Sequence, residues 1–239
     1  MAEVRAGDVP ASGTSVEQER VWTPCGKVRE LTRLPDPLAR AYAGSVAPWL
    51  ARIERRLDPG VMANRSRRAG GLLPVEGERA RFQRALRRGL GDGHAALGDV
   101  RDCYPSIGVD AVRRALAGAG ADPAPSVSVL EALRRAGVRG LPIGPWPSAV
   151  LANLVLASAD EAARAAGVRV VRWVDDVVLI AADRATACRA LDAWVRALRA
   201  LGLEAHEGKT SIVPAEEVRG TIVALGASVS GIETAVRGR

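Results

Sequence analysis

Two aspartates, Asp175 and Asp176, stand side by side in R-W-V-D-D-V-V-L-I (residues 172–180), between runs of aliphatic residues. Adjacent carboxylates repel unless a cation lies between them. A hard divalent ion with oxygen ligands meets that need. Read alone, D-D is equally an ordinary polar turn. A third carboxylate, Asp99, closes a separate apolar stretch, A-L-G-D-V. If the two stretches are neighbouring strands, three carboxylates converge at one sheet edge, as two-metal phosphoryl transfer requires. Asp102 has the right chemistry, but three residues past Asp99 it is expected to face solvent or cap the following turn. Lys27 and Lys209 are the only lysines among 34 Lys and Arg side chains. A lysine kept in so arginine-rich a chain is a candidate for a task that Arg cannot perform.

The elements that must position these residues follow from periodicity and punctuation. Residues 94–100 read as a strand ending at Asp99. Residues 168–174 and 177–182 read as strands of a hairpin whose tip is the Asp pair. Helices are expected over 109–117, 127–136, 148–166 and 184–201, the third apolar on all sides and the last stopped by Gly202. G-L-P-I-G-P-W-P (140–147) excludes regular helix. A short strand near Ile212 and a final hairpin over 220–232 complete the chain. The order strand, helices, strand, strand, helix, strand predicts an α+β fold with a split β-α-β antiparallel sheet of ferredoxin type. Before it, residues 38–57 carry apolar positions at helical spacing, interrupted by Pro48. A helix bearing Arg79, Arg81, Arg84, Arg87 and Arg88 follows. Residues 1–20 read as a flexible arm.

The chain has 239 residues, 48% of them hydrophobic, and a formal net charge of +7. A substantial core and a polyanionic partner are the expectations. Cys25, Cys103 and Cys188 with His94 and His206 give neither a disulfide framework nor a zinc pattern. No apolar run reaches the ~20 residues of a membrane span, and the N-terminus lacks signal-peptide order. A cytoplasmic location and no membrane partner are therefore expected.

Four segments, G-D-V-R-D-C-Y-P-S-I, L-P-I-G-P-W-P-S-A-V-L-A-N-L-V-L, W-V-D-D-V-V-L-I and E-G-K-T-S-I, occur in that order. Together they resemble the palm motifs of reverse transcriptases, in the bacterial branch of group II intron, retron and abortive-infection enzymes. A-L-G-A-S-V resembles, more weakly, the family's primer-grip hairpin. The resemblance implies a right-hand palm over 96–239 and a mainly helical fingers region over 21–95; with the sequence ending at Arg239, no thumb is expected. It implies that Asp99, Asp175, Asp176 and the Val100 carbonyl hold two Mg²⁺ or Mn²⁺ ions. Tyr104 would lie under the sugar of an incoming dNTP and select against a 2′-hydroxyl. Pro142 and Gly144 belong to the bend that cradles the bases, and Lys209 would protonate the leaving pyrophosphate. Asn153 falls where L-A-N is typical, on a buried helix. Lys27, Arg29 and Arg33 are triphosphate candidates. Arg65, Arg67 and Arg68 are candidates for phosphate backbone, and Trp173 replaces the usual Tyr or Phe near the primer end. Ile143 stands where many members carry Gln, a variant of the defence-like branch. The expected partners are RNA template, primer and dNTPs, with another protein chain or a structured RNA in place of a thumb, in a bacterial defence setting. RNA-directed RNA synthesis, template-independent nucleotidyl transfer and an inactive RNA-binding palm stay open alongside this reading; Tyr104 counts against the first.

Overall fold

The computed structural model describes residues 16–22 and 28–225. Strands β1 (Glu17–Trp22) and β2 (Val28–Arg33) form an antiparallel hairpin, with Glu17 opposite Arg33 and Trp22 opposite Val28. The expected arm therefore gives way to a strand at Glu17. Helix α1 (Asp36–Val46) carries Pro37 in its first turn, where the missing N–H of proline leaves no intrahelical bond unmade. Pro48 tightens the chain into a 3₁₀ turn (Ala47–Trp49), and α2 (Leu50–Arg56) resumes beyond it. Helix α3 (Val75–Gly89) buries Glu78, Phe82 and Leu86, spaced four residues apart on one face.

Next come β3 (His94–Asp99), a single-turn α4 (Cys103–Ser106), α5 (Val109–Gly118), α6 (Ala124–Arg135) and α7 (Trp146–Ala165). The chain then forms β4 (Arg169–Trp173), β5 (Asp176–Ala181), α8 (Arg184–Ala200), β6 (Ser211–Pro214) and α9 (Ala215–Leu225). The predicted final hairpin is overturned over 220–225, which are helical. Residues 226–239, with the rest of A-L-G-A-S-V, lie outside the described residues. Among the described residues no helix is long and apolar enough to cross a membrane.

The chain divides into two compact units. Of the described residues, one comprises those up to Arg56, Ser66–Leu72 and Asp102–Val155; the other comprises Leu57–Arg65, Leu73–Arg101 and those from Leu156 onward. The expected fingers segment 21–95 is thus shared between the units, with α3 in the second.

In the first unit, α1 packs on α6 and α6 on α5. The hydroxyls of Tyr42 and Ser148 meet at 3.0 Å, and Ser126 Oγ lies 3.0 Å from Ser45 Oγ, so these buried polar groups satisfy one another.

The second unit holds a four-stranded antiparallel sheet in the order β4-β5-β3-β6. This is the split β-α-β arrangement expected from the sequence, so the fold is α+β with a ferredoxin-type palm sheet. Alternation sorts the side chains. Leu97, Val171, Val178 and Ile180 face a core built with Phe82, Leu86 and Val218 of α3 and α9. On the other face, Trp194 of α8 is fully buried against β3. Gly98 makes room for it: a Cβ there would lie 2.9 Å from the indole and 3.2 Å from Val177 Cγ1.

Candidate active site

Asp99 and Asp176 are direct register partners across β3 and β5. Partners of this kind project from the same face with Cβ atoms about 4.5–5.5 Å apart. Asp176 is in turn the register partner of Trp173 on β4. A row Trp173–Asp176–Asp99 therefore crosses three strands, on the face that also carries Leu97 and Val178. Trp173 packs edge-on against Phe82, with centroids 5.5 Å apart and planes at 63°. Asp99 is buried at the end of β3, whereas Asp175 and Asp176 are half-buried.

The hairpin differs from expectation in one respect. Only Val174 and Asp175 form the turn, and Asp176 already belongs to β5. Val174 adopts φ +58°, a left-handed conformation uncommon for a β-branched residue. The turn is anchored from both sides. The Val100 amide donates to the Asp175 carbonyl at 3.2 Å. Arg172 Nη1 donates to the Val174 carbonyl at 2.6 Å.

Lys209 comes from a 3₁₀ turn (Glu207–Lys209) just before β6. Its ammonium donates to Asp99 Oδ2. The backbone ties the same two segments together: the His206 amide donates to the Asp99 carbonyl at 2.8 Å, and the Lys209 amide to the His206 carbonyl at 2.8 Å. Among the described residues no group of three or more His, Cys, Asp or Glu stands ready-made as a metal cage. The cation at Asp99 is the lysine's own. The donors available on the two strands, carboxylate and carbonyl oxygens, suit a hard divalent ion in chemical type.

The remaining candidates fall as follows. Tyr104, in α4, is half-buried. Its carbonyl accepts from the Leu141 amide at 2.9 Å, and the Thr32 amide of β2 donates to the Ile143 carbonyl at 2.7 Å. Gly140, at φ +59°, lets this segment lie on the α4 turn, because a Cβ would come within 2.4 Å of the Tyr104 carbonyl oxygen. One unit thus brings together Tyr104, the 140–144 bend with Pro142 and Gly144, and β2 with the exposed Arg29. Arg33 pairs with Glu19 across the first hairpin at 2.6 Å, and this hydrogen bond raises the guanidinium pKa above its usual value. Lys27 lies outside the described residues.

Arg65 Nη1 donates to the carbonyls of Asp58 (3.3 Å) and Val61 (3.1 Å), so this guanidinium holds its own loop. Arg67 and Arg68 are more exposed, in the turn before Gly70. Asp102 is exposed at φ +43°, its carbonyl accepting from Ser106, as expected of a residue past the strand end. Asn153 is buried in α7.

Two buried charged residues beside the turn were not singled out by the sequence: Arg172 and Asp160. Arg172 Nε reaches Asp160 Oδ1 and Oδ2 at 3.1 and 2.9 Å, and both side chains are almost wholly buried. Burial pushes the Asp160 carboxyl up, and the guanidinium opposes it. The available signal was a charged residue within V-V-R-W, but in an arginine-rich chain it does not stand out.

The family described as Reverse transcriptase (RNA-dependent DNA polymerase) matches residues 23–224. The chain belongs to the reverse transcriptase family. That match runs from β2 through α9 and takes in both compact units of this reverse transcriptase domain. No curated protein matches the chain. The family supports nucleic-acid polymerase activity of the RNA-directed, DNA-synthesising kind, and with it the use of template, primer and dNTPs.

Proposed function

We propose that this reverse transcriptase domain extends a primer with deoxynucleotides on an RNA template, using the carboxylates of β3 and the β4–β5 turn. The observation that carries the reading is the register pairing of Asp99 with Asp176, beside Asp175 and with Lys209 at Asp99. Asp99, Asp175, Asp176 and the Val100 carbonyl are the groups that would hold two Mg²⁺ or Mn²⁺ ions. When bound, such ions activate the primer hydroxyl and neutralise charge developing on the triphosphate.

The chain's own residues do the rest. Lys209 carries a proton next to the reacting phosphates and releases it to the leaving pyrophosphate, a task suited to an amine of adjustable pKa. Tyr104 lies against the sugar and discriminates against a 2′-hydroxyl. The backbone of 140–144, with Pro142 and Gly144, supports the base. Trp173 presents its ring to the primer end. Lys27 and Arg29 approach the triphosphate, while Arg67, Arg68 and the outer part of Arg65 meet phosphate backbone. In this reading residues 21–95 serve as fingers and the chain from 96 as palm. Ile143 supports placement in the defence-type bacterial branch, working with a further protein or structured RNA.

The test is incorporation of labelled nucleotides with Mg²⁺ or Mn²⁺ on a primed RNA homopolymer, and separately without nucleic acid. Template-dependent dNTP incorporation that is lost in the Asp175→Ala/Asp176→Ala double variant supports the proposal. Incorporation without template would indicate a nucleotidyl transferase instead. No incorporation under any condition would indicate an RNA-binding palm.

A further inference from the structure

Arg172 is fully buried, yet it lies on the strand that ends one residue before the strained turn. Its backbone is committed to the edge of the sheet. The Arg172 amide donates to the Gly60 carbonyl at 2.9 Å, and its carbonyl accepts from Met62 at 3.0 Å. Its side chain points away from the face that carries Val171 and Trp173, and meets Asp160 in the second half of α7 through both carboxylate oxygens. Another arm of the same guanidinium, Nη1, donates to the Val174 carbonyl at 2.6 Å.

Stability alone does not account for this arrangement. A buried ion pair recovers little more than its desolvation cost, and apolar residues of similar volume commonly serve as well. What an apolar pair does not provide is a rigid donor beneath the Val174 carbonyl. Val174 is β-branched and left-handed, a conformation that persists only when the surroundings over-determine it. Arg172 supplies one constraint and the hydrogen bond from the Val100 amide to the Asp175 carbonyl the other.

We propose that Arg172, anchored on Asp160, is a positioning residue: it fixes the left-handed Val174 turn and so aims Asp175 and Asp176 toward Asp99. The planar fork of Arg serves two acceptors in different directions; a lysine ammonium lacks that fixed geometry. The inference deepens the reading given under Proposed function and rests on those carboxylates holding the metal.

The test compares the Mn²⁺ affinity of the full chain, read by electron paramagnetic resonance, in wild type, Asp175→Ala, Arg172→Lys and the double variant Arg172→Met/Asp160→Leu. The double variant removes both charges together, so it leaves no orphaned ion and should melt close to wild type. The expected result is Mn²⁺ binding weakened about 10–100-fold in this variant and in Arg172→Lys, as when the support of a metal ligand is removed. For dNTP incorporation, kcat should fall with KM nearly unchanged. Should the double variant not fold, Arg172→Lys decides by the same readout. Wild-type Mn²⁺ affinity in a folded Arg172 variant, with binding lost in Asp175→Ala, overturns the role of Arg172 alone. Wild-type affinity in Asp175→Ala as well overturns the metal reading, and this inference with it.

Discussion

Lys209 donates from its ammonium to Oδ2 of Asp99 across 110 positions of sequence, with both side chains largely shielded from water. The two are brought together by backbone, since the end of β3 is hydrogen-bonded to the turn that carries the lysine. The lysine thus acts as the resident counterion of the most buried carboxylate in the site. A divalent ion at Asp99 has to compete with it. Lys209→Met should therefore bind Mn²⁺ several-fold more tightly while incorporating dNTPs roughly 10²–10⁴-fold more slowly, because the proposed proton donor is gone. Lys209→Arg keeps the competing charge and should lose rate without the gain in affinity. Unchanged Mn²⁺ affinity in Lys209→Met would show that the contact has no part in ion binding.

Val174 should tolerate glycine. Replacing a left-handed β-branched residue by Gly relieves about 1–2 kcal/mol of steric cost and adds somewhat less in backbone entropy. Chemical denaturation of Val174→Gly should therefore give stability equal to wild type or up to about 1 kcal/mol higher. Activity should fall, since the freed turn holds Asp175 and Asp176 less firmly. A loss of several kcal/mol would mean that packing of the valine side chain, not its backbone, governs the turn.

Tyr104 should govern sugar selection. Tyr104→Ala is expected to raise ribonucleotide incorporation relative to deoxynucleotide by roughly 10–100-fold, a range typical of steric pocket changes. Tyr104→Phe should leave the ratio near wild type, because in the proposed role the ring and not the hydroxyl meets the sugar. The ratio of kcat/KM for the two nucleotide classes checks this, and an unchanged ratio in Tyr104→Ala removes the residue from the sugar site.

Asp183 caps α8, the helix that backs β3 and β5. Its carboxylate accepts from the Thr186 amide at 2.8 Å and from the Thr186 hydroxyl at 2.9 Å, and these bonds hold its carboxyl below the usual aspartate range. A lowered folded-state pKa means that the charged cap stabilises fully above the unfolded value. That stabilisation is lost as pH falls through the lower folded value. Asp183→Asn keeps an acceptor but no charge. Wild type should melt above this variant at neutral pH, with the gap closing below about pH 4. A gap independent of pH would contradict the charged cap.

How much of this was legible in the sequence depends on what each element buries. Strands β3, β4 and β5 are apolar runs bounded by turn residues, and α8 is an amphipathic stretch stopped by Gly202. All were readable, and the pairing of β3 with β5 sets Asp99 opposite Asp176. Helix α9 was not: Gly220 with Thr221, Ile222 and Val223 reads as strand. Burial of Ala215 and Val218 under the sheet, with Glu216 and Glu217 in the first turn, makes it helical instead. The first hairpin was missed for the opposite reason. Its residues are mostly exposed and charged, so no alternation marks it, and its pairing shows only in cross-strand partners such as Arg20 and Glu30. Arg172 and Asp160 became visible only with tertiary structure, because burial is what distinguishes them from the other charged residues of the chain.

The central claim is that β3 and the β4–β5 turn together hold the catalytic ions, and a Mn²⁺ titration of wild type against Asp175→Ala tests it most directly. The account predicts a small number of sites in wild type, with binding weakened at least about 100-fold when the Asp175 carboxylate is removed. Equal stoichiometry and affinity in the two proteins would contradict it.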